Sequence, residues 1–324
     1  MIIRKYKKGD EFGILKLDRL VEEHIWNRRN LKNWFWKFNK KTKTMKSIVF
    51  VCEKNNKIIA TFAILPIKWK IYNKEFTASH SIAMIVHPNY QNKGLIKFVA
   101  DKVIQQAKIK KYEFVYGYPN LKAYDLHKKL LGYEDAFDQK LYHVKIKNKI
   151  IAKNFKDLKL IKTKFFDKSH DKLWQDIKNE YPIILKRSKE FLNWRYAERP
   201  DHIYFIFTLY NNKKNIGYMV LKIYKEKNLF RGHIIDIFVS QKNLEHFNYL
   251  IDQANIFFKK KNCQEITMWL NGSNKLQQAI KLKGFKVKSS RKMICKFDLN
   301  NKNYKNILNQ KKWYFTMGDT FEIF

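Results

Sequence analysis

The chain of 324 residues is 45% hydrophobic and 16% aromatic, which excludes a disordered protein and leaves room for two domains of ordinary size. Its 67 basic and 29 acidic residues give a formal charge of +38, but only nine of the basic residues are Arg, and Lys dispersed along a chain reads as a solvated coat rather than a nucleic-acid site. Cys52, Cys263 and Cys295 stand too far apart for a zinc motif or a disulfide framework, and the sequence shows neither a signal peptide nor an apolar run of bilayer length; the expectation is a metal-free cytoplasmic protein that does not insert into membranes.

In chain order, "IIRKY" predicts a strand, and Asp10 can cap a helix over "EFGILKLDRLVEEH", where Phe12, Leu15, Leu20 and Val21 recur at helical spacing. The stretch "SIVFVCEKNNKIIATFAILPIKWKIYNKEFTASHSIAMIVHP" predicts three strands joined at "KNNK" and "YNKE". A short loop with one glycine, Gly94, then leads into a helix "LIKFVADKVIQQAKIKK" that presents Leu95, Phe98, Val99, Val103 and Ala107 on one face. A strand "EFVYGYPN" and a helix "LKAYDLHKKLLGY" complete the first half.

The second half repeats this order. "FLNWRYAERP" answers "KNWFWKFNK", "GHIIDIFVS" answers "SHSIAMIVHP", and "NGSNKLQQAIKLKGF" answers "GYPNLKAYDLHKKLLGY". The pairs Trp36 and Trp194, Asn120 and Asn274, and Gly132 and Gly284 lie 158, 154 and 152 residues apart, a near-constant shift that marks a duplicated domain. The join falls in "VKIKNKIIAKNFKDLKLIK", giving expected domains at 1–148 and 149–324.

"IAMIVHPNYQNKGL" followed by "YGYPNLKAYDLHKKLLGY" resembles the GNAT superfamily of acyl-coenzyme A-dependent N-acyltransferases. In that family a strand ends in V-x-P, an R/Q-x-x-G-x-G/A turn opens a helix, and N-x-x-A-x-x-x-Y later precedes G-F or G-Y. Here these are Val86-His87-Pro88, Gln91-Asn92-Lys93-Gly94-Leu95-Ile96, Asn120-Leu121-Lys122-Ala123 and Gly132-Tyr133. The Trp-rich segments and the closing "WYFTMGD" further resemble a tandem-domain subgroup. The resemblance implies two tandem GNAT-like α/β domains, each a mixed central sheet flanked by helices, with acetyl-coenzyme A as co-substrate.

Amides at a helix start have no intrahelical acceptor and share the positive end of the helix dipole, so they can cradle a pyrophosphate; Gly94 permits close approach and Lys93 adds charge. Ile96 stands where the family has Gly or Ala and is expected to narrow the cradle, while Gln91 in place of Arg removes a charge. The resemblance lays the pantetheine arm between "SIAMIV" and "FVYGY", with backbone groups near Ile85 and Val86 polarising the thioester carbonyl. For the proton to the leaving thiolate, His127 occupies the position where the family often has Tyr, and Tyr124 lies one turn earlier. The interval from Asn120 to Gly132 is one residue longer than usual, so either can reach the sulfur. His80 is the candidate base and Asp236 a candidate contact for the acceptor amine.

In the second half, "QKNLEHFNYLI" has no glycine and offers Glu245 where phosphate would sit. The expected reaction is acetyl transfer to a primary amine of a small molecule, an amino sugar being the acceptor that a basic surface favours. Protein- or tRNA-linked acyl or aminoacyl transfer, and a non-catalytic binding protein of the same fold, are the alternatives.

Overall fold

The computed structural model describes residues 1–21, 30–38, 46–146, 155–226, 228–297 and 308–321. The expected end of the first helix and much of the Lys-rich join lie outside these residues. The first elements are β1 (Ile2–Lys5), α1 (Asp10–Val21), α2 (Leu31–Phe38), β2 (Ile48–Lys54), β3 (Lys57–Ile71), β4 (Lys74–Val86), α3 (Leu95–Ile109), β5 (Phe114–Gly117), α4 (Leu121–Asp125) and β6 (Glu134–Lys145). They continue as β7 (Leu158–Thr163), α5 (Lys168–Ile177), β8 (Ile183–Leu185), α6 (Lys189–Leu192), β9 (Phe205–Asn211), β10 (Lys214–Glu226) and β11 (Leu229–Val239). Last come α7 (Leu244–Lys260), β12 (Glu265–Asn271), α8 (Asn274–Leu282), β13 (Lys286–Phe297) and β14 (Trp313–Thr316). Among the described residues no helix is long and apolar enough to cross a membrane.

Local chemistry accounts for much of this order. Asn55 (φ 49°) and Asn56 (φ 58°) take the left-handed pair of angles that a two-residue hairpin needs, and β2 and β3 pair directly across them. Successive elements of the first half recur in the second: β4, α3, β5 and α4 are matched by β11, α7, β12 and α8.

The chain forms two compact units. Unit 1 comprises Met1–Lys68, Phe76–Ala136 and Lys292–Asn306; unit 2 comprises Trp69–Glu75, Phe137–Arg291 and Ile307–Phe324. In unit 1 the strand order is β1-β2-β3-β4-β5-β13, antiparallel at β1/β2, β2/β3 and β5/β13 and parallel at β4/β5. In unit 2 it is β6-β12-β11-β10-β9-β7, parallel along this path at β11/β12; β14 joins the end of β12 antiparallel, and β8 pairs parallel with β14 and antiparallel with Trp69–Ile71.

In unit 1, α3 buries Leu95, Ile96, Val99, Ala100, Val103 and Ala107 against Phe50, Phe62, Ile64 and Val115. Phe98, expected on that face, is 60% exposed, because the buried stripe is rotated by about one position and takes in Ile96 and Ala100 instead. The same holds for α1, which turns Ile14, Leu15 and Leu17 inward and leaves Phe12 and Leu20 exposed.

Unit 2 is organised around buried charge. The Arg187 guanidinium lies 3.2 Å from Asp236 and 3.1 Å from Asp319, and all three side chains are buried. Tyr196 and Tyr218 donate to Asp236 Oδ2 at 3.0 and 2.9 Å, the Thr316 hydroxyl and the Ile237 amide donate to Oδ1 at 3.1 Å each, and the Thr316 amide donates to Asp319 at 2.8 Å. Burial with a second carboxylate nearby outweighs Arg187 and raises the Asp319 pKa to about 6.

Between the ordinary carboxyl value and about 6 the folded protein therefore holds a proton that the unfolded chain has released, so this group's stabilisation is complete below the ordinary value and is lost as pH rises to about 6. Asp319→Asn carries no such proton. Urea titrations from pH 4 to pH 7 are expected to show wild type losing about 2–3 kcal/mol relative to this variant. Parallel curves would contradict it.

Candidate active site

The parallel pair β4/β5 holds register only at Ser79 with Val115 and His80 with Tyr116. Beyond that rung Ala83 adopts φ 51°, a left-handed angle in mid-strand of the kind that bends a strand at a bulge. Gly117 stands opposite Ser81, where a Cβ would come within 3.3 Å of the Ser81 Cβ, so its lack of a side chain keeps the mouth of the gap clear. At its end β4 is tied back to β3 by the His87 amide, which donates to Ile59 O at 2.8 Å. Two strands that begin as neighbours thus part, with their backbone edges facing a gap.

The loop after β4 is a single 3₁₀ turn, Pro88–Tyr90, followed by residues 91–94 and the start of α3. Asn92 (φ 59°) and Gly94 (φ 71°) both sit in the left-handed region, and a Cβ at Gly94 would meet nothing within 4 Å. The space over Gly94 is open. Gln91 Nε2 donates to Val86 O at 3.0 Å and Lys93 Nζ to Asn89 O at 3.0 Å, so both side chains brace the loop. The first amide of α3 with a backbone acceptor outside the helix is Lys97, bonded to Gly94 O at 3.0 Å; among the described residues the amides of 92–96 meet no backbone acceptor. Leu95 and Ile96 point into the core. The expected narrowing of the cradle by Ile96 therefore does not occur, because only its amide, and not its side chain, belongs to the turn.

Asn120 caps α4, its side-chain oxygen accepting from the Ala123 amide at 2.8 Å. The helix then widens into a five-residue π-helical turn, Leu126–Leu130, closed by the Leu131 amide on Leu126 O at 3.2 Å. A π turn absorbs one extra residue without breaking the helix, which accounts for the long interval to Gly132. It also buries His127, whose Nδ1 lies 2.7 Å from Ala123 O while its ring meets Tyr133 edge-on. A carbonyl only accepts, so Nδ1 carries the proton; burial lowers the pKa and keeps the ring neutral, leaving Nε2 as an acceptor.

Tyr124 donates to the Asp135 carboxylate at 2.7 and 2.9 Å, and this bond, above all, raises its pKa; Lys128 pairs with the same carboxylate at 3.1 Å. Neither Asp135 nor the bend at Ala83 was singled out by the sequence. His80 is buried, in register with Tyr116 and tilted over its ring at 4.9 Å.

In unit 2 each equivalent feature is occupied by the chain itself. At the turn after β11, the Gln241 amide and the Ser240 hydroxyl donate to Glu180 at 2.7 and 2.8 Å, and the Asn243 side chain caps the His246 amide. Glu180, rather than the expected Glu245, holds the phosphate-equivalent position. The parallel rungs of β11 and β12 end at Ile234 with Met268, and beyond them β14 pairs with Leu270 and Asn271 while the Tyr314 hydroxyl donates to Ile237 O. Asp236, the candidate acceptor contact, lies inside the Arg187 cluster with both oxygens bonded. Among the described residues no group of His, Cys, Asp and Glu is placed to hold a metal ion.

A family model described as an acetyltransferase (GNAT) domain matches residues 3–134. Solved structures share the fold over nearly the whole chain. A probable N-acyltransferase from Enterococcus faecalis V583 aligns with a TM-score of 0.70 at 14% identity, covering 91% of this chain and 72% of that one. A tandem GNAT protein from the clavulanic acid biosynthesis pathway aligns at 0.60 and 8% identity, covering 91% and 98%. Saccharomyces cerevisiae N-myristoyltransferase with bound myristoyl-CoA aligns at 0.59 and 11% identity, covering 90% and 82%. No curated protein matches by sequence. The fold is that of two tandem GNAT-like α/β domains.

The cap at Asn120 is directly measurable. Asn120→Ala removes the acceptor for the Ala123 amide and is expected to lower stability by about 1 kcal/mol in urea denaturation, whereas Asn120→Asp keeps the cap and most of the stability.

Proposed function

We propose, from the premise that this chain is a GNAT-superfamily protein with its acetyltransferase domain in residues 3–134, that unit 1 binds acyl-coenzyme A and transfers the acyl group to an amine. The observation that carries this reading is the contrast between the open gap and turn of unit 1 and the filled equivalents of unit 2.

In this reading the pantetheine arm lies between β4 and β5 and pairs with their parted edges as an added strand. The pyrophosphate rests on the amides of Asn92, Lys93, Gly94, Leu95 and Ile96, with Lys93 as the nearby cation. The thioester carbonyl is held by amides at the Ala83 bend, deeper in the gap than Ile85 and Val86, which then flank the arm. A neutral amine attacks the carbonyl carbon, the bend amides stabilise the oxyanion, and collapse expels a thiolate that needs only a modest acid, its pKa being about 8.5. His80, at the last paired rung, is the base nearest the bend. Tyr124 supplies the thiolate proton by releasing Asp135; His127, neutral with Nδ1 bonded, accepts rather than donates. The donor is acetyl-coenzyme A and the acceptor a small-molecule amine, an amino sugar fitting the basic surface.

Calorimetry with coenzyme A is expected to give one site per chain. Gly94→Val, which forces a branched residue into a left-handed angle under the phosphates, is expected to weaken binding by about 1–3 kcal/mol, while Gln241→Ala leaves it unchanged. Lys93→Ala is expected to weaken binding at low salt, with the difference shrinking as salt rises. Two equivalent sites, or binding unaffected in a folded Gly94→Val protein, would refute the assignment.

A further inference from the structure

A groove of about 1120 Å³ opens in unit 1 beside the phosphate turn, walled by α1, by the β2–β3 hairpin and by the loop at Tyr90. Its two carboxylates, Asp10 and Glu53, both bind Arg4, at 2.6 and 2.5 Å. Lys8, Lys16, Lys54 and Lys57 are exposed along the same walls with no acidic partner among the described residues. Tyr90 links groove and turn, since Lys54 Nζ lies 5.2 Å and Lys93 Nζ 5.9 Å from the centre of its ring. The groove therefore borders the turn at Tyr90.

Two kinds of carrier share the donor's arm, a nucleotide and a protein. The cations follow the groove, with Lys8 just before α1 and Lys16 and Arg19 on it. Phe12 and Leu20, 62% and 51% exposed, stand on the same helix as Lys16 and offer apolar contact that a protein helix can answer and a sugar-phosphate chain cannot. The turn itself has one ammonium group, Lys93, and a neutral Gln91, which suits the single negative charge of a phosphodiester.

We propose that this groove docks an acidic carrier protein that presents the acyl group on a phosphopantetheine arm, with the arm's phosphate seated on the Gly94 turn. The proposal rests on the reading of that turn as a phosphate cradle. The chemistry balances as before: the thioester C–S bond breaks, a C–N bond forms with the amine, and the amine's proton ends on the arm's thiol.

The test measures binding of the full chain to an acetylated acidic acyl carrier protein, to acetyl-coenzyme A, to dephospho-coenzyme A and to bulk tRNA across a salt series. The acetylated carrier is expected to bind at least tenfold more tightly than acetyl-coenzyme A at low salt. Lys16→Glu and Lys57→Glu are expected to weaken carrier binding tenfold or more and to leave acetyl-coenzyme A unaffected, while Gly94→Val weakens both. Lys16→Gln, a milder change on an exposed face, should show the same direction. If the reversals weaken acetyl-coenzyme A but not dephospho-coenzyme A, the groove seats the nucleotide and the proposal falls. Tighter binding of tRNA than of the carrier, falling steeply with salt, overturns it in favour of nucleic acid. Binding of acetyl-coenzyme A without the carrier overturns the docking proposal alone; binding of neither donor overturns the phosphate turn itself.

Discussion

When two hydrogen-bonded strands part inside a sheet, the amides and carbonyls along their inner edges lose their partners, and those groups must be satisfied by something else. Both units contain one parallel pair that parts in this way, and everything distinctive about each follows from what satisfies the exposed edges. In unit 2 the answer is internal: β14 adds to the free end of β12, Tyr314 reaches the β11 backbone, and Glu180 takes the amides of the turn. In unit 1 the bend at Ala83, the missing side chain at Gly117 and the left-handed Gly94 leave edge and turn open together.

The buried charges divide along the same line. The Arg187, Asp236 and Asp319 cluster is enclosed by tyrosine hydroxyls and by Thr316, and removing one partner from so enclosed a set leaves an uncompensated charge. Such a cluster holds β14 and the residues after it against β11, and so keeps the second gap shut. In unit 1 the acidic groups Asp10, Glu11 and Asp18 are buried on α1, Asp10 and Glu53 are held by Arg4, and Lys8, Lys16, Lys54 and Lys57 stand exposed around the groove.

Helix geometry sets the remaining detail. The π turn over Leu126–Leu130 accommodates an additional residue between the Asn120 cap and Gly132, and in doing so it buries His127 against Tyr133 while Tyr124 stays half-buried and bonded to Asp135. Residues one turn apart on what reads as a regular helix thus acquire different protonation chemistry, one a neutral acceptor and the other a donor with a raised pKa.

By itself the sequence determined what depends on neighbours along the chain. The hairpin at Asn55 and Asn56, the helix after Gly94, the repeated order of elements and the GNAT motif from Val86 to Tyr133 were all legible, because turn angles, apolar period and motif spacing are local properties. Tertiary structure decided which groups those elements meet. That Ile96 faces the core while Phe98 does not follows from how far α3 rolls on the sheet, a rotation of about one residue that periodicity leaves undetermined. That Lys292–Asn306 belongs to unit 1, that Glu180 closes the second turn, and that Asp236 is enclosed by Arg187, Tyr196 and Thr316 depend on partners many tens of residues away. Hydrogen bonds and ion pairs at such separations exist only once the chain has packed, so no local pattern encodes them.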